Sequence, residues 1–307
     1  MNNYFQEIAD AVGRKLGEEF EVKMEEIAKQ NDKILHGIII KETNEDMAAV
    51  HYVEYVINEF GEKSADFIAD KIIKVHNDAV AKPGFDLATM FSKMLAFENV
   101  NEHVVYSLLN AEMNKERLKN AVVIHLENTD YAYVPVIRIP DENGGVYQAM
   151  ITNNIVEKEG YDMELLHKHA IANTMAKYPP MFVPLTKDIN DVDENTILDP
   201  RDENFTLDNC DDMFALTAEN NDTDGAVALF YPDMKKRIAE VLGQSYYVIP
   251  VDINNVLIVP ESRATADQLN KMLHEGNKFI VPPDEQLGNE VLRYDINTGM
   301  LSGTIEN

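Results

Sequence analysis

Asp191, Asp193, Asn195, Asp199 and Asp202 stand at positions 1, 3, 5, 9 and 12 of a loop with EF-hand spacing. Oxygen ligands at alternate positions can wrap a hard cation such as calcium or magnesium. Position 6, where the sharp turn wants glycine, is Thr196, and Pro200 interrupts the register. The flanks show no clear helical pattern. A solvated acidic loop is the plainer reading, with a weak, non-EF calcium or magnesium site as the alternative. Asn220-x-Asp222-x-Asp224-Gly225 begins the same way and has the glycine. Its twelfth position is Tyr231, which cannot supply a bidentate carboxylate. A turn between strands with Asx caps accounts for it more simply.

Other chemistries fail on context. Gly61-Glu62-Lys63-Ser64 resembles the end of a phosphate loop, but it lacks the upstream glycine and its Glu62 repels phosphate. It reads as a helix start capped by Ser64. Gly243-Gln244-Ser245 precedes a strand and follows a helix, the reverse of a nucleophile elbow. His167 and His169 sit two apart on a predicted helix and point to different faces. The single cysteine, Cys210, lies among acids that disfavour a thiolate. Met90 and Met94 at helical spacing read as core, although a methionine stripe can also form an adaptable binding surface. No catalytic constellation survives, and no residue is assigned to catalysis or cofactor binding.

Charge bounds the partners. The net charge is −27 over 307 residues. It is densest between Asp188 and Asp212, where only Arg201 opposes the acids. Such a chain repels phosphate backbones and anionic lipid, which argues against nucleic-acid and membrane-surface binding. It favours a protein partner with a basic surface. Hydrophobic residues make up 45% of the chain, enough for a packed core. One cysteine excludes an internal disulfide and zinc sites built on paired cysteines. The N-terminus shows no signal-peptide pattern and no apolar run is long enough to span a bilayer. A cytoplasmic location is the expectation.

The elements that must position any site follow from periodicity. Phe5, Ile8, Ala9, Val12 and Leu16 predict a helix ended by Gly17. Alternation through Phe20, Val22 and Met24 predicts a strand, returning as Ile34 to Lys41. Helical pattern then extends to about Asn120. One face holds Tyr52, Val53, Val56, Ile57 and Phe60, and Lys82-Pro83-Gly84 breaks the run. From Ala121 the period becomes two, with strands at 121–126, 131–139 and 146–152. Asp141-Glu142-Asn143-Gly144-Gly145 is the hairpin turn between the last two. A helix spans Tyr161 to Tyr178, stopped by Pro179-Pro180. Beyond the acidic stretch come strands at 213–218 and 226–230, a helix at 232–242 and strands at 246–251 and 256–259. A helix at 265–275, a short strand at 279–281 and a hairpin at 291–301 close the chain. The fold class is α+β: an N-terminal helix and β-hairpin, a helical middle, and antiparallel-rich mixed sheet modules with packed helices. The regions are 1–120, 121–187, an acidic connecting loop at 188–212 read as a domain boundary, and 213–307.

Several segments together carry a resemblance. They are GEEFEVKMEEIAKQNDKILHGIIIK, AVVIHLENTDYAYVPVIRI, ITNNIVEKEGYDMELLHKHAIANTMAKYPP, SYYVIPVDINNVLIVPESRATADQLNKMLHEGN and EVLRYDINTGML. In this order, from Phe5 to Leu301, the chain resembles the bacterial family catalogued as domain of unknown function fifty-six eighty-eight. That family looks common in gut anaerobes, often in mobile-element neighbourhoods. The resemblance implies a cytosolic α+β protein with a helix-hairpin start, and it supplies no activity. The acidic insertion after Pro184 departs from the family's usual pattern. The layout of the last part is also similar to a second uncharacterised bacterial family.

The leading expectation is a non-enzymatic cytosolic protein that binds a basic macromolecular partner. One form of it is a mobile-element or anti-defence decoy. A divalent-metal-dependent hydrolase or phosphotransfer enzyme using Asp191, Asp193, Asp222 and Asp224 is the first alternative. A self-assembling scaffold is the second.

Overall fold

The computed structural model describes residues 2–43, 48–80, 94–140, 146–185, 205–207, 209–218 and 224–304. The chain forms two compact units, Met1–Ala96 and Phe97–Asn307. The division falls within the stretch that the sequence reads as helical, after its break at Lys82-Pro83-Gly84 and before the boundary at 120.

In the first unit, α1 (Asn2–Leu16) is followed by β1 (Phe20–Ala28), β2 (Ile34–Glu42) and β3 (Ala48–Tyr52). These strands form an antiparallel sheet in the order β1-β2-β3. Helices α2 (Val53–Phe60) and α3 (Ala65–Val80) complete it. Ile38 and Ile40 of β2 pack with Ile8 and Val12 of α1 and Ile68 and Ile72 of α3. The alternating burial of β1 leaves its charged face in solvent. The Ser64 hydroxyl accepts a 3.4 Å hydrogen bond from the Phe67 N–H, the N-cap that the sequence predicts. Strand β3 is a correction. Tyr52 ends a strand instead of opening the helical face, because the ladder with β2 outweighs the helical propensity of the alanines.

A histidine pair lies on this unit. His51 Nε2 of β3 is 3.2 Å from His76 Nδ1 of α3, and Phe20 sets its ring edge-on to His76. Burial first, then the neighbouring His76 ring, pushes His51 down to about 4 from 6.5. Burial also lowers His76, against the charge of Glu42. The unfolded chain therefore takes up a proton on His51 near pH 6.5 and the folded chain only near pH 4. Stability is full above 6.5 and is lost as pH falls from there to about 4. His51→Gln removes this titration and keeps a polar partner for His76. In urea titrations the wild type loses about 1–2 kcal/mol relative to H51Q between pH 7 and pH 4.5, allowing for partial exposure. A difference that does not change with pH contradicts the linkage.

The second unit opens with α4 (Phe97–His103) and β4 (Val104–Asn110). The turn Glu112–Asn114, α5 (Lys115–Leu118), β5 (Ile124–His125), β6 (Tyr131–Pro140) and β7 (Val146–Met150) follow. Strand β6 pairs with β4 on one side and with β5 and β7 on the other, all antiparallel. The β6–β7 hairpin is as the sequence predicts, and its turn at 141–145 lies outside the described residues. Strand β4 corrects the helical reading of this stretch. Six of its seven residues are buried, so its apolar run carries no period that distinguishes strand from helix.

Helices α6 (Asn153–Glu159) and α7 (Met163–Lys177) lead to β8 (Pro180–Pro184). Asp162 caps α7 by accepting from the Glu164 and Leu165 N–H groups. Then come β9 (Phe214–Ala218), a 3-10 helix (Gly225–Phe230), α8 (Met234–Leu242), β10 (Tyr246–Ile249), β11 (Val256–Pro260), α9 (Ala266–Phe279), β12 (Leu292–Asp295) and β13 (Met300–Gly303). The six strands run β13-β12-β10-β11-β9-β8, each pair antiparallel. All of β10 is buried, because both faces of the sheet are covered. Leu269 and Leu273 of α9 pack on Tyr247 and Ile249. On the other face, the Tyr246 hydroxyl donates to the Lys235 carbonyl of α8 at 3.0 Å.

Three differences from the sequence reading stand out here. The acidic stretch joins β8 to β9, which are paired neighbours of one sheet, so it does not separate compact units. Residues 226–230 are a buried 3-10 helix, not a strand. Helix α9 continues through Gly276 to Phe279, where the sequence suggested a stop and a new strand. Its start is as expected, with Thr265 and Gln268 forming a capping box. Overall the fold is α+β, as the sequence predicts.

Candidate functional site: an acidic cleft

Four separated segments of the second unit meet around a cleft of about 660 Å³. The end of β4 contributes Asn110, and the turn after it contributes Glu112 and Met113. The loop into β6 contributes Asn128, Thr129, Asp130 and Tyr131. The approach to β12 contributes Asn289 and Glu290. Local rules shape each piece. Asn128 takes φ 60°, a conformation asparagine tolerates, which turns the chain between Leu126 and Tyr131. Asn110 Oδ1 accepts from the Met113 N–H at 3.1 Å and holds the turn carrying Glu112. Gly303 leaves room for the Glu290 carboxylate, which a Cβ there would strike.

The field in the cleft is negative. Burial first, and then the charges of Asp130 and Glu290, push the Tyr131 hydroxyl well above its ordinary range. The Lys115 ammonium is raised by its hydrogen bond and ion pair with Glu112, and further by Asp130. Glu112 and Asp130 are exposed, and no lysine or arginine occurs among the described lining residues. Carboxylates and asparagine carbonyls can accept several hydrogen bonds from a guanidinium or an ammonium group. Such a cleft suits a cation and rejects a phosphate.

The metal-like residues Asp191, Asp193, Asn195, Asp199 and Asp202 lie outside the described residues, as does Asp222. Asp224 is described, and its role is different from a loop ligand or an Asx cap. It adopts φ 59° just before the 3-10 helix. Its carboxylate forms a buried ion pair with Arg138 of β6, the two side chains being 3% and 9% exposed. The Ser107 hydroxyl of β4 donates to its Oδ1 at 2.6 Å. Arg138 also donates to Gln148 Oε1 at 2.9 Å and to the Tyr178 hydroxyl at 2.8 Å. Burial and the Arg138 charge lower the nearby Lys177 ammonium. These groups are consumed by one another, so the network fastens the 3-10 helix to the four-stranded sheet. Among the described residues no cluster of three or more His, Cys, Asp or Glu side chains can hold a metal ion.

Other singled-out residues have structural partners. His167 Nδ1 is 2.6 Å from the Tyr106 hydroxyl. Cys210 Sγ donates weakly to the Val241 carbonyl at 3.5 Å. Met94 is buried core. No described helix is long and apolar enough to cross a membrane.

The cleft residues carry no motif. Glu112, Asp130 and Glu290 are isolated acids in sequence, and only the pairing of β4 with β6 and the packing of β12 gather them. Arg138 did carry a signal: it is the one cation in an apolar ten-residue strand and so requires a buried partner.

The model of the Family of unknown function (DUF5688) matches residues 1–296, nearly the whole chain, and the chain belongs to that family. No curated protein and no solved structure matches it.

Proposed function

We propose that this family member is a cytoplasmic, non-enzymatic binding protein whose macromolecular partner presents a basic surface to the acidic cleft. In its narrower form it is an acidic decoy, occupying the basic groove of an enzyme that handles nucleic acid. The observation that carries the reading is the meeting of Glu112, Asp130 and Glu290 around one concavity, in a chain of net charge −27. Carboxylates gathered on a concave wall focus the field and speed the encounter with a cationic surface.

A defined probe tests it: a decapeptide of alternating arginine and glycine, titrated calorimetrically. Affinity falls by about tenfold or more between 50 and 300 mM salt. Glu112→Lys with Asp130→Lys weakens binding about tenfold at low salt. Glu157→Lys with Glu159→Lys makes the same charge change on exposed positions of α6 and weakens it less than about threefold. Equal losses in the two double variants, or binding indifferent to salt, contradict the cleft as the seat. Salt-eluted capture from lysate with wild type and the cleft variant side by side then identifies the natural partner.

A further inference from the structure

The sheet of the first unit has two edges, the five-residue β3 and the longer β1. Strand β1 pairs with β2 through nine consecutive residue pairs, without a bulge or a proline. The parity of this ladder decides where its backbone points. The Thr43 N–H donates to the Glu19 carbonyl and the Lys29 N–H to the Lys33 carbonyl, so the odd-numbered residues of β1 bond to β2. On β2 the His36 N–H, opposite Glu26, turns the other way and reaches the Glu54 carboxylate. Val22, Met24, Glu26 and Ala28 therefore direct both N–H and C=O groups away from β2. Among the described residues nothing bonds to them there.

Other edges are closed or short. On β4 the outward groups find side chains: the Tyr106 N–H donates to the Thr174 hydroxyl oxygen, and the Val104 and Asn110 carbonyls accept from Asn173 and Asn114. Strand β8 begins and ends in proline, and β13 has four residues. The guard on β1 is charge alone, which turns away an acidic strand and admits a cationic one. Its side chains specify the rest. Val22 and Met24 pack against the core yet stay half-buried, so apolar side chains laid beside them gain cover. On the other face Glu21, Lys23 and Glu25 are exposed. Lys23 pairs with Glu21 at 2.8 Å, which leaves Glu25 without an ion-pair partner among the described residues.

We propose that the free edge of β1 takes up an extended segment of a partner protein as a fourth, antiparallel strand, with apolar side chains beside Val22 and Met24 and a cationic one facing Glu25. This contact lies on the first unit and does not depend on the acidic cleft. A second copy is the poorer occupant, because two chains of net charge −27 repel each other.

The probe is the N-acetylated, C-amidated heptapeptide Val-Lys-Val-Thr-Val-Lys-Val, titrated calorimetrically into the full chain beside a pair of N-methylated isomers of equal charge. Docked as proposed, its valines turn their N–H groups to β1 and its lysines turn theirs outward. N-methylation of the inner valines weakens binding about tenfold or more, and N-methylation of the lysines less than about threefold. In amide exchange Val22, Met24 and Glu26 exchange freely without peptide and at least about tenfold more slowly with it, while Lys23 and Glu25 are protected throughout. Glu25→Lys, at an exposed position, weakens binding about threefold at low salt and leaves the thermal midpoint in place. Glu112→Lys with Asp130→Lys changes neither readout, so failure of the cleft and failure of this edge are separate results. Equal losses from the two isomers, absence of saturable binding, or Val22 and Met24 amides already protected in the free chain overturn the proposal. A concentration-dependent dimer that protects the same amides puts a second copy at the edge and overturns it as well.

Discussion

Arg138→Met lowers the unfolding free energy by about 3–5 kcal/mol. The substitution leaves the Asp224 carboxylate, 3% exposed, without its counter-charge in a place that water cannot reach. Asp224→Asn has a loss of similar size for the mirror-image reason, since the buried Arg138 guanidinium loses the carboxylate that neutralises it. Asparagine is the suitable replacement because position 224 has φ 59°, which asparagine tolerates and branched residues do not. The double variant removes both charges and loses less than the two single losses added together. Urea unfolding of the four proteins closes the cycle, with a coupling of about 2–3 kcal/mol. Additive single losses would mean that the two groups do not stabilise each other.

Gly225→Ala is the second large effect, a loss of about 3 kcal/mol. A Cβ at this position collides with the Asn254 carbonyl and crowds the Thr217 hydroxyl and the Ala218 backbone N–H. Two of these neighbours are backbone and cannot rotate away. The Thr217 hydroxyl donates to the same Asn254 carbonyl at 2.9 Å, so relief of the clash also strains that bond. The thermal midpoint falls by roughly 6–12 °C. A change within about 1 kcal/mol would show that the 3-10 helix can lift from β9 at little cost.

These two positions also show where the sequence was readable. Elements with one buried face announce themselves: α1 through Phe5, Ile8 and Val12, β1 through its alternation, and α9 through its Thr265–Gln268 box. Elements buried all round do not. Strand β4 and the 3-10 helix Gly225–Phe230 are short apolar runs whose geometry is decided by what covers them. Glycine misleads in a related way. Gly243 ends α8 with φ 69°, as a glycine after an apolar periodic run should, yet Gly276 sits inside α9. Nothing local separates the two. The cleft was the least legible part, because its acids come from separate turns, Glu290 far along the chain from Glu112 and Asp130, and turn acids are ordinary surface residues in any sequence.

The pairing of β8 with β9 has a consequence for how this protein can change. The Leu185 N–H donates to the Met213 carbonyl at 2.8 Å, so the ladder is sealed at the very point where the acidic insertion leaves and re-enters it. Above that seal, length is decoupled from register. Doubling the length of a connecting segment costs only about 0.6 kcal/mol in closure entropy. The fold can therefore accept longer, shorter or recoded versions of residues 186–204 with little effect on its core, whereas the buried Phe205 and Asp212 beyond them belong to the packed part. Lineages can vary the charge they carry there at near-constant stability, and an engineer can use the same place to splice in a foreign module.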